Sequence, residues 1–171
     1  MRGERRPAGL LRPPSDLVNE RVQRDDHPMD TQEIADRLEI TGLLARYTRA
    51  IDSGQWDLLD QVFSPDAVID YRATGGIRGT RDEVKAWLAE VLPHWPGRLH
   101  LIGAPTIDFR DGEAVVSAPF TDTLAPTRDM VTADTEGFLH GGGWYHHRLR
   151  RTSGGWRSVE LVEEQAWRTA R

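Results

Sequence analysis

The chain has 171 residues, 38% of them hydrophobic and 29% charged, with a formal net charge of −5 and no cysteine. This length supports one domain with a sizeable core, and the absence of cysteine excludes disulfides, thiolate nucleophiles and thiolate-bound metals. The acidic balance opposes nucleic-acid binding, and no apolar run approaches the ~20 residues of a membrane-spanning helix, so a cytoplasmic protein is expected.

Residues 1–29 carry Arg2, Arg5, Arg6, Arg12, Pro7, Pro13 and Pro14, with no apolar run beyond the neighbourhood of Leu10-Leu11. That is too short for a signal-peptide core and too polar to offset its ordering entropy. The segment is expected to be a disordered or loosely ordered arm, or a stretch upstream of the natural start. Residues 30–171 are expected to form a single folded domain.

Asp30 reads as an N-cap, with Glu33 placed to close a capping box. Ile34, Leu38, Ile40, Leu43, Leu44, Tyr47 and Ile51 follow at helical spacing as far as Ser53-Gly54, which predicts a long amphipathic helix. A short second helix should turn Trp56, Leu59 and Phe63 inward and stop at Ser64-Pro65. Ala67 to Tyr71 reads as a strand and Gly75-Gly76 as a turn. Thr80 then caps a helix carrying Val84, Trp87, Leu88 and Val91, which ends at Pro93 and Pro96.

From there the pattern alternates. Four strands are predicted at about 98–110, 113–125, 136–151 and 155–168, with Asp111-Gly112, a loop from Pro126 to Asp134, and Ser153-Gly154-Gly155 between them. Helices first and a meander last predict an α+β fold: a curved antiparallel sheet with the N-terminal helices packed on its concave face, forming a cone-shaped barrel around a cavity.

Asp52 falls at the carboxyl end of the first helix, where the helix dipole disfavours a negative charge. It therefore needs a partner, or else it turns to solvent or to the Ser53-Gly54 turn. His100 stands in the otherwise apolar Leu99-His100-Leu101-Ile102, either as a hydrogen-bonded core residue or as an acid–base group. Without a thiol, a nucleophile elbow or a phosphate loop, a histidine paired with a carboxylate is the acid–base machinery the sequence offers. Tyr47 is five residues before Asp52 and does not share its face in an ideal helix. The two converge only if Asp52 sits in a frayed last turn, and otherwise Tyr47 reads as a core aromatic whose hydroxyl finds one partner. His140, His146 and His147 invite a metal reading only weakly, because the adjacent His146 and His147 point to opposite faces of a strand, which leaves at most one of them with His140 in a common site. Gly141-Gly142-Gly143 lacks the lysine of a phosphate loop and reads as a bulge or a close backbone approach.

Tyr47-Thr48-Arg49-Ala50-Ile51-Asp52-Ser53-Gly54-Gln55-Trp56-Asp57-Leu58-Leu59, Phe63-Ser64-Pro65-Asp66-Ala67, Ile69-Asp70-Tyr71, Leu99-His100-Leu101 and the closing Gly142-Gly143-Trp144-Tyr145 to Gly154-Gly155-Trp156-Arg157 together resemble the SnoaL-like family of the nuclear transport factor 2-like superfamily. The resemblance covers about residues 32–168 and is closest to the scytalone dehydratase and bile-acid dehydratase branch. The bile-acid enzyme's Tyr, Asp and His fall on Tyr47, Asp52 and His100. Hexachlorocyclohexane dehydrochlorinase has its Asp–His dyad on the same pair, and the carbonyl-polarising Tyr of scytalone dehydratase falls on Tyr71. Two departures argue against scytalone itself as substrate: no second histidine stands near Leu124-Ala125, and Ile51 occupies the place of the tyrosine before the aspartate.

The resemblance implies a cofactor-independent, dehydratase-like lyase of bacterial secondary metabolism that binds no metal. Its substrate would be a small hydrophobic carbonyl compound or polycycle. Asp52, His100 and Tyr47 are the implied catalytic residues, and Tyr71, Asp122, Trp144 and Tyr145 are expected at the substrate. A polyketide cyclase, a double-bond isomerase and a non-catalytic binding or assembly module remain as alternatives. Assembly into a homodimer or homotrimer is expected by the same resemblance.

Overall fold

The computed structural model describes residues 29–129 and 136–170. The expected N-terminal arm and most of the loop's second half, residues 130–134, lie outside the described residues. The element order is α1 (Thr31–Ser53), a 3-10 helix (Trp56–Gln61), β1 (Phe63–Asp70), a 3-10 turn (Arg72–Thr74), β2 (Arg78–Thr80), α2 (Arg81–Val91), a 3-10 turn (Leu92–His94), β3 (Gly97–Ile102), β4 (Thr106–Arg110), β5 (Glu113–Ala125), β6 (Leu139–Thr152) and β7 (Gly155–Ala170).

The described strands make one curved sheet in the order β2-β1-β7-β6-β5-β3, with β4 paired to β5 beyond β3. It does not close into a barrel, and the α+β architecture with N-terminal helices stands as expected. Inward side chains Ala118 and Phe120 of β5, Tyr145 and Leu149 of β6 and Leu161 of β7 join Ile40, Leu43, Leu44, Tyr47 and Ile51 of α1 in a single buried core. Burial of such side chains is the main stabilising term, about 1.5–3 kcal/mol each. No described helix is long and apolar enough to cross a membrane.

Both helix starts are chemically specified. Asp30 accepts the Glu33 N–H at 2.7 Å, but the Glu33 carboxylate turns to Arg37 instead of closing the box. Thr80 and Glu83 form the complete reciprocal box. Gly54 ends α1 in the left-handed region at φ 71°, where a Cβ would be strained.

Several sequence expectations are corrected. Ile34 and Leu38 are 46% and 69% exposed. The buried stripe of α1 instead runs through Asp36, Ile40, Leu43, Leu44, Tyr47 and Ile51, and Asp36 is compensated by Gln32 and Arg151. Phe63 is not helical but opens β1, and Pro65 lies inside that strand. The pairing of β1 with β7 shifts between Phe63 and Val68, which relieves the ladder where proline has no N–H to give. That pairing is also parallel, so the sheet is mixed. The strand expected at 98–110 is two, β3 and β4, broken at Gly103-Ala104-Pro105, where Gly103 N–H reaches across to Pro119 O. The three-residue β2 escaped the alternation pattern because it is shorter than one full repeat of evidence.

Two bulges between β6 and β7 set which side chains face the cavity. The register slips between Gly142 and Gly143 and between Arg148 and Leu149. A Cβ on Gly143 would stand 1.8 Å from Glu164 O, inside backbone that cannot yield. The expected bulge at the glycine run is therefore present, and glycine is required there. Gly143→Ala should lower stability by about 2 kcal/mol or more, measurable by urea denaturation.

His147 is 2% exposed, stacked on Phe63, and its Nδ1 donates to Ser158 Oγ at 3.0 Å. The hydroxyl of Ser158 in turn donates to Glu160 O. Burial, with a smaller contribution from His146, depresses its pKa to about 3. The unfolded chain takes up this proton in the ordinary histidine range and the folded chain does not. Stability is therefore full above that range and falls as the pH drops toward about 3. Melting temperature followed from neutral to acid pH should show this decline, and His147→Phe should flatten it.

Candidate active site

The end of α1 and the start of β3 are tied together before any side chain reaches the cavity. The Arg98 guanidinium donates from Nε to Ile51 O at 2.7 Å and from Nη1 to Leu92 O at 2.8 Å and Trp95 O at 3.1 Å. It thereby satisfies a carbonyl that the helix terminus leaves unpaired and places positive charge at the negative end of the helix dipole. Arg98 also lies over Trp56, 6.0 Å from the ring centre.

Asp52, the residue after Ile51, meets His100, two residues beyond Arg98. Asp52 Oδ1 is 2.6 Å from His100 Nδ1, and Oδ2 accepts the His100 backbone N–H at 3.0 Å. That N–H is available because β3 is an edge strand among the described residues, paired there with β5 alone. The carboxylate thus fixes both the ring and its backbone. The charge-assisted contact assigns the Nδ1–H tautomer, which leaves Nε2 as the free base. His100 lines the cavity and Asp52 stands behind it. The partner that the helix-end position of Asp52 demands is therefore the imidazole.

The cavity, about 210 Å³, is bounded by Trp87, Leu88, Val91 and Trp95 on the helical side, and exceeds the ~150 Å³ void that takes a benzene ring. Tyr47 and Tyr71 also face it, with their hydroxyls 2.7 Å apart. One hydrogen bond between two hydroxyls leaves one phenolic proton of the pair for a third group. Burial raises the pKa of both tyrosines well above the ordinary range, so they serve as neutral donors. Tyr47 and Asp52 lie on different faces of α1, and His100 brings their chemistry to the same space.

Asp122 lies directly across the ladder from His100. It is 8% exposed, and its Oδ1 has no hydrogen-bond partner among the described residues. The space beside it is kept open by Gly141, where a Cβ would stand 3.0 Å from that oxygen. Tyr145 is 2% exposed, stacked on Phe120 at 4.0 Å, and lines the cavity. Trp144 does not: it is 40% exposed on the outer face, because neighbours on a strand point opposite ways. Its expected place at the substrate is a correction.

The sequence reading missed Glu163. This residue lies opposite Tyr145 on β7, lines the cavity and has its Oε2 3.0 Å from Thr74 Oγ1. Arg168, also at the cavity, reaches Thr74 O at 3.1 Å. Counting outward by twos from the buried Trp156 would put Glu160 and Glu164 inside. The bulge next to Ser158 reverses the parity, and Leu161 and Glu163 face inward instead.

The other histidines lie elsewhere. His140 Nδ1 contacts Asp122 O at 2.8 Å and Thr123 Oγ1 at 3.1 Å. His146 sits on the outer face between Ser117 and Glu164. Although this resembles a nucleophile relay, Ser117 lies within β5, paired on both sides, so neighbouring N–H groups are committed to the ladder and cannot form an oxyanion hole. No group of three or more His, Asp or Glu side chains among the described residues is arranged to hold a metal.

Residues 32–162 match the SnoaL-like domain. The chain belongs to the SnoaL-like family. An uncharacterized protein of Mycobacterium tuberculosis is 38% identical over 143 residues, which span 84% of this chain and 94% of the relative. Among solved structures, a scytalone dehydratase-like protein of Novosphingobium aromaticivorans superposes with TM-score 0.70 at 19% identity, covering 84% of this chain and 92% of its own. Hexachlorocyclohexane dehydrochlorinase LinA-type3 of Novosphingobium barchaimii gives 0.68 at 16% identity, covering 82% and 93%. A nuclear transport factor 2-like superfamily protein of Salmonella enterica gives 0.64 at 18%, covering 77% and 92%. At these identities the structural likeness establishes the fold.

The tautomer assignment can be measured directly. Long-range proton–nitrogen correlation spectra should show His100 with its hydrogen on Nδ1 and a bare Nε2, and Asp52→Ala should convert it to a tautomer mixture.

Proposed function

We propose that this SnoaL-like protein is a cofactor-independent lyase that removes water from a small hydrophobic carbonyl compound. The observation that carries the proposal is the geometry of His100: Asp52 holds it through both carboxylate oxygens, and the residue lines a cavity whose helical wall is apolar. A base so held is pre-set to take a proton from carbon next to a carbonyl, and Asp52 stabilises the imidazolium that forms. The Tyr47–Tyr71 pair supplies a neutral donor for the enolate oxygen as negative charge develops there. The names of two structural neighbours, scytalone dehydratase-like and hexachlorocyclohexane dehydrochlorinase, support an elimination.

The apolar outer face of the sheet, with Val115, Trp144, Val162 and Trp167 exposed, supports self-association of this domain, the occupant expected from its relatives.

Purified protein incubated with a panel of cyclic β-hydroxy ketones should yield enones lighter by one water, detected by mass spectrometry. His100→Ala should reduce turnover by about 10²–10⁴ with an unchanged circular dichroism spectrum. Undiminished turnover in that variant would sink the proposal.

A further inference from the structure

An elimination that expels hydroxide needs an acid as well as a base, and the Asp52–His100 pair supplies the base alone. Resting on the elimination proposed above, we propose that Glu163 is the catalytic acid that protonates the departing oxygen. Glu163 and His100 both line one cavity from the inner face of the curved sheet. Their strands are three places apart in the order β7-β6-β5-β3, about 14 Å along the sheet at ~4.8 Å per strand and less across the space around which it curves. A ring seated in that cavity would present its acidic carbon to His100 and its hydroxyl to Glu163.

The carboxyl is positioned for that task. Thr74 holds Oε2, and the Thr74 turn is fixed by its own N–H and that of Gly76, both donated to Tyr71 O. Oε1 has no protein hydrogen-bond partner among the described residues, and Glu163 forms no ion pair with them. Facing it are Tyr47 from α1, Tyr71 beyond β1, His100 from β3, Asp122 from β5, Tyr145 from β6 and Arg168 from β7. Burial, reinforced by Asp122, raises the Glu163 pKa to about 7 against the opposing effects of Thr74, His100 and Arg168. Around neutrality this acid exchanges its proton readily, whereas the buried tyrosines hold theirs too tightly to be comparable acids.

The step balances. His100 Nε2 takes the proton from carbon, the C–H electrons become the new C=C bond, and the C–O bond breaks. The leaving oxygen collects the Glu163 proton and departs as water. The imidazolium and carboxylate left behind are reset when a proton passes from one to the other through solvent.

The test compares two probes in wild type, Glu163→Gln and His100→Ala: 3-hydroxycyclohexanone, which must lose hydroxide, and 3-acetoxycyclohexanone, whose acetate leaves without a proton. Both give cyclohexenone, followed by ultraviolet absorbance. Glu163→Gln should slow the hydroxy ketone about 10²-fold or more, leave the acetoxy ketone within a few-fold, and remove the fall in wild-type rate as pH rises through about 7. His100→Ala should stop both. Equal slowing of the two probes by Glu163→Gln, no slowing of either, or a surviving alkaline limb overturns the assignment. If wild type converts neither probe, the elimination loses its support and the acid is judged by infrared spectroscopy. A carboxylic-acid carbonyl band at mildly acidic pH that disappears in Glu163→Gln upholds the acid, and its absence overturns it.

Discussion

The arrangement of the cavity depends on one carboxylate spending both its oxygens on a single residue. Asp52 holds the ring of His100 with one and its main chain with the other, so the imidazole can neither rotate nor shift along the strand without breaking a charge-assisted bond. The contact requires a helix that ends at a defined residue and an edge strand that begins at a defined residue. Arg98 satisfies both conditions by gathering the carbonyls of Ile51, Leu92 and Trp95 around one guanidinium. The helix terminus, the turn after α2 and the start of β3 are thereby tied together.

The cavity walls divide the chemical work. The helical wall is mostly tryptophan and aliphatic and shapes the space, whereas the sheet wall carries His100, Asp122 and Glu163 at its inward positions. Between them the two tyrosine hydroxyls form a neutral donor pair. Low dielectric strengthens each of these interactions and makes an unpaired charge costly. That cost is why a carboxyl without an ion partner, such as Glu163, holds its proton to a higher pH than an exposed glutamate.

Much of this was legible in the sequence. Helical spacing and capping residues located α1 and α2, turn dipeptides located the meander, and the family resemblance singled out Tyr47, Asp52 and His100, of which Tyr47 and His100 line the cavity and Asp52 backs the imidazole. What failed did so for local reasons. Alternation is a reliable guide along β6, where it separates Tyr145 from Trp144, but the substrate role given to Trp144 ignored it. Along β7 the same rule breaks, because an extra residue beside Ser158 exchanges the two faces. Glu163 became visible only once the partner strand was known. Ile34 and Leu38 misled because apolar spacing marks a stripe without saying whether anything packs on it, and the buried stripe begins with the compensated Asp36.

The amide of His100 has a second consequence. Edge strands offer unpaired N–H groups that can recruit a strand from another molecule. On β3 one of these donors is taken by the aspartate of the chain's own first helix, which also stands in the path of any incoming strand. The bond that orients the imidazole thereby also occupies a donor on this margin of the sheet, so the same carboxylate that sets the tautomer blunts an open edge.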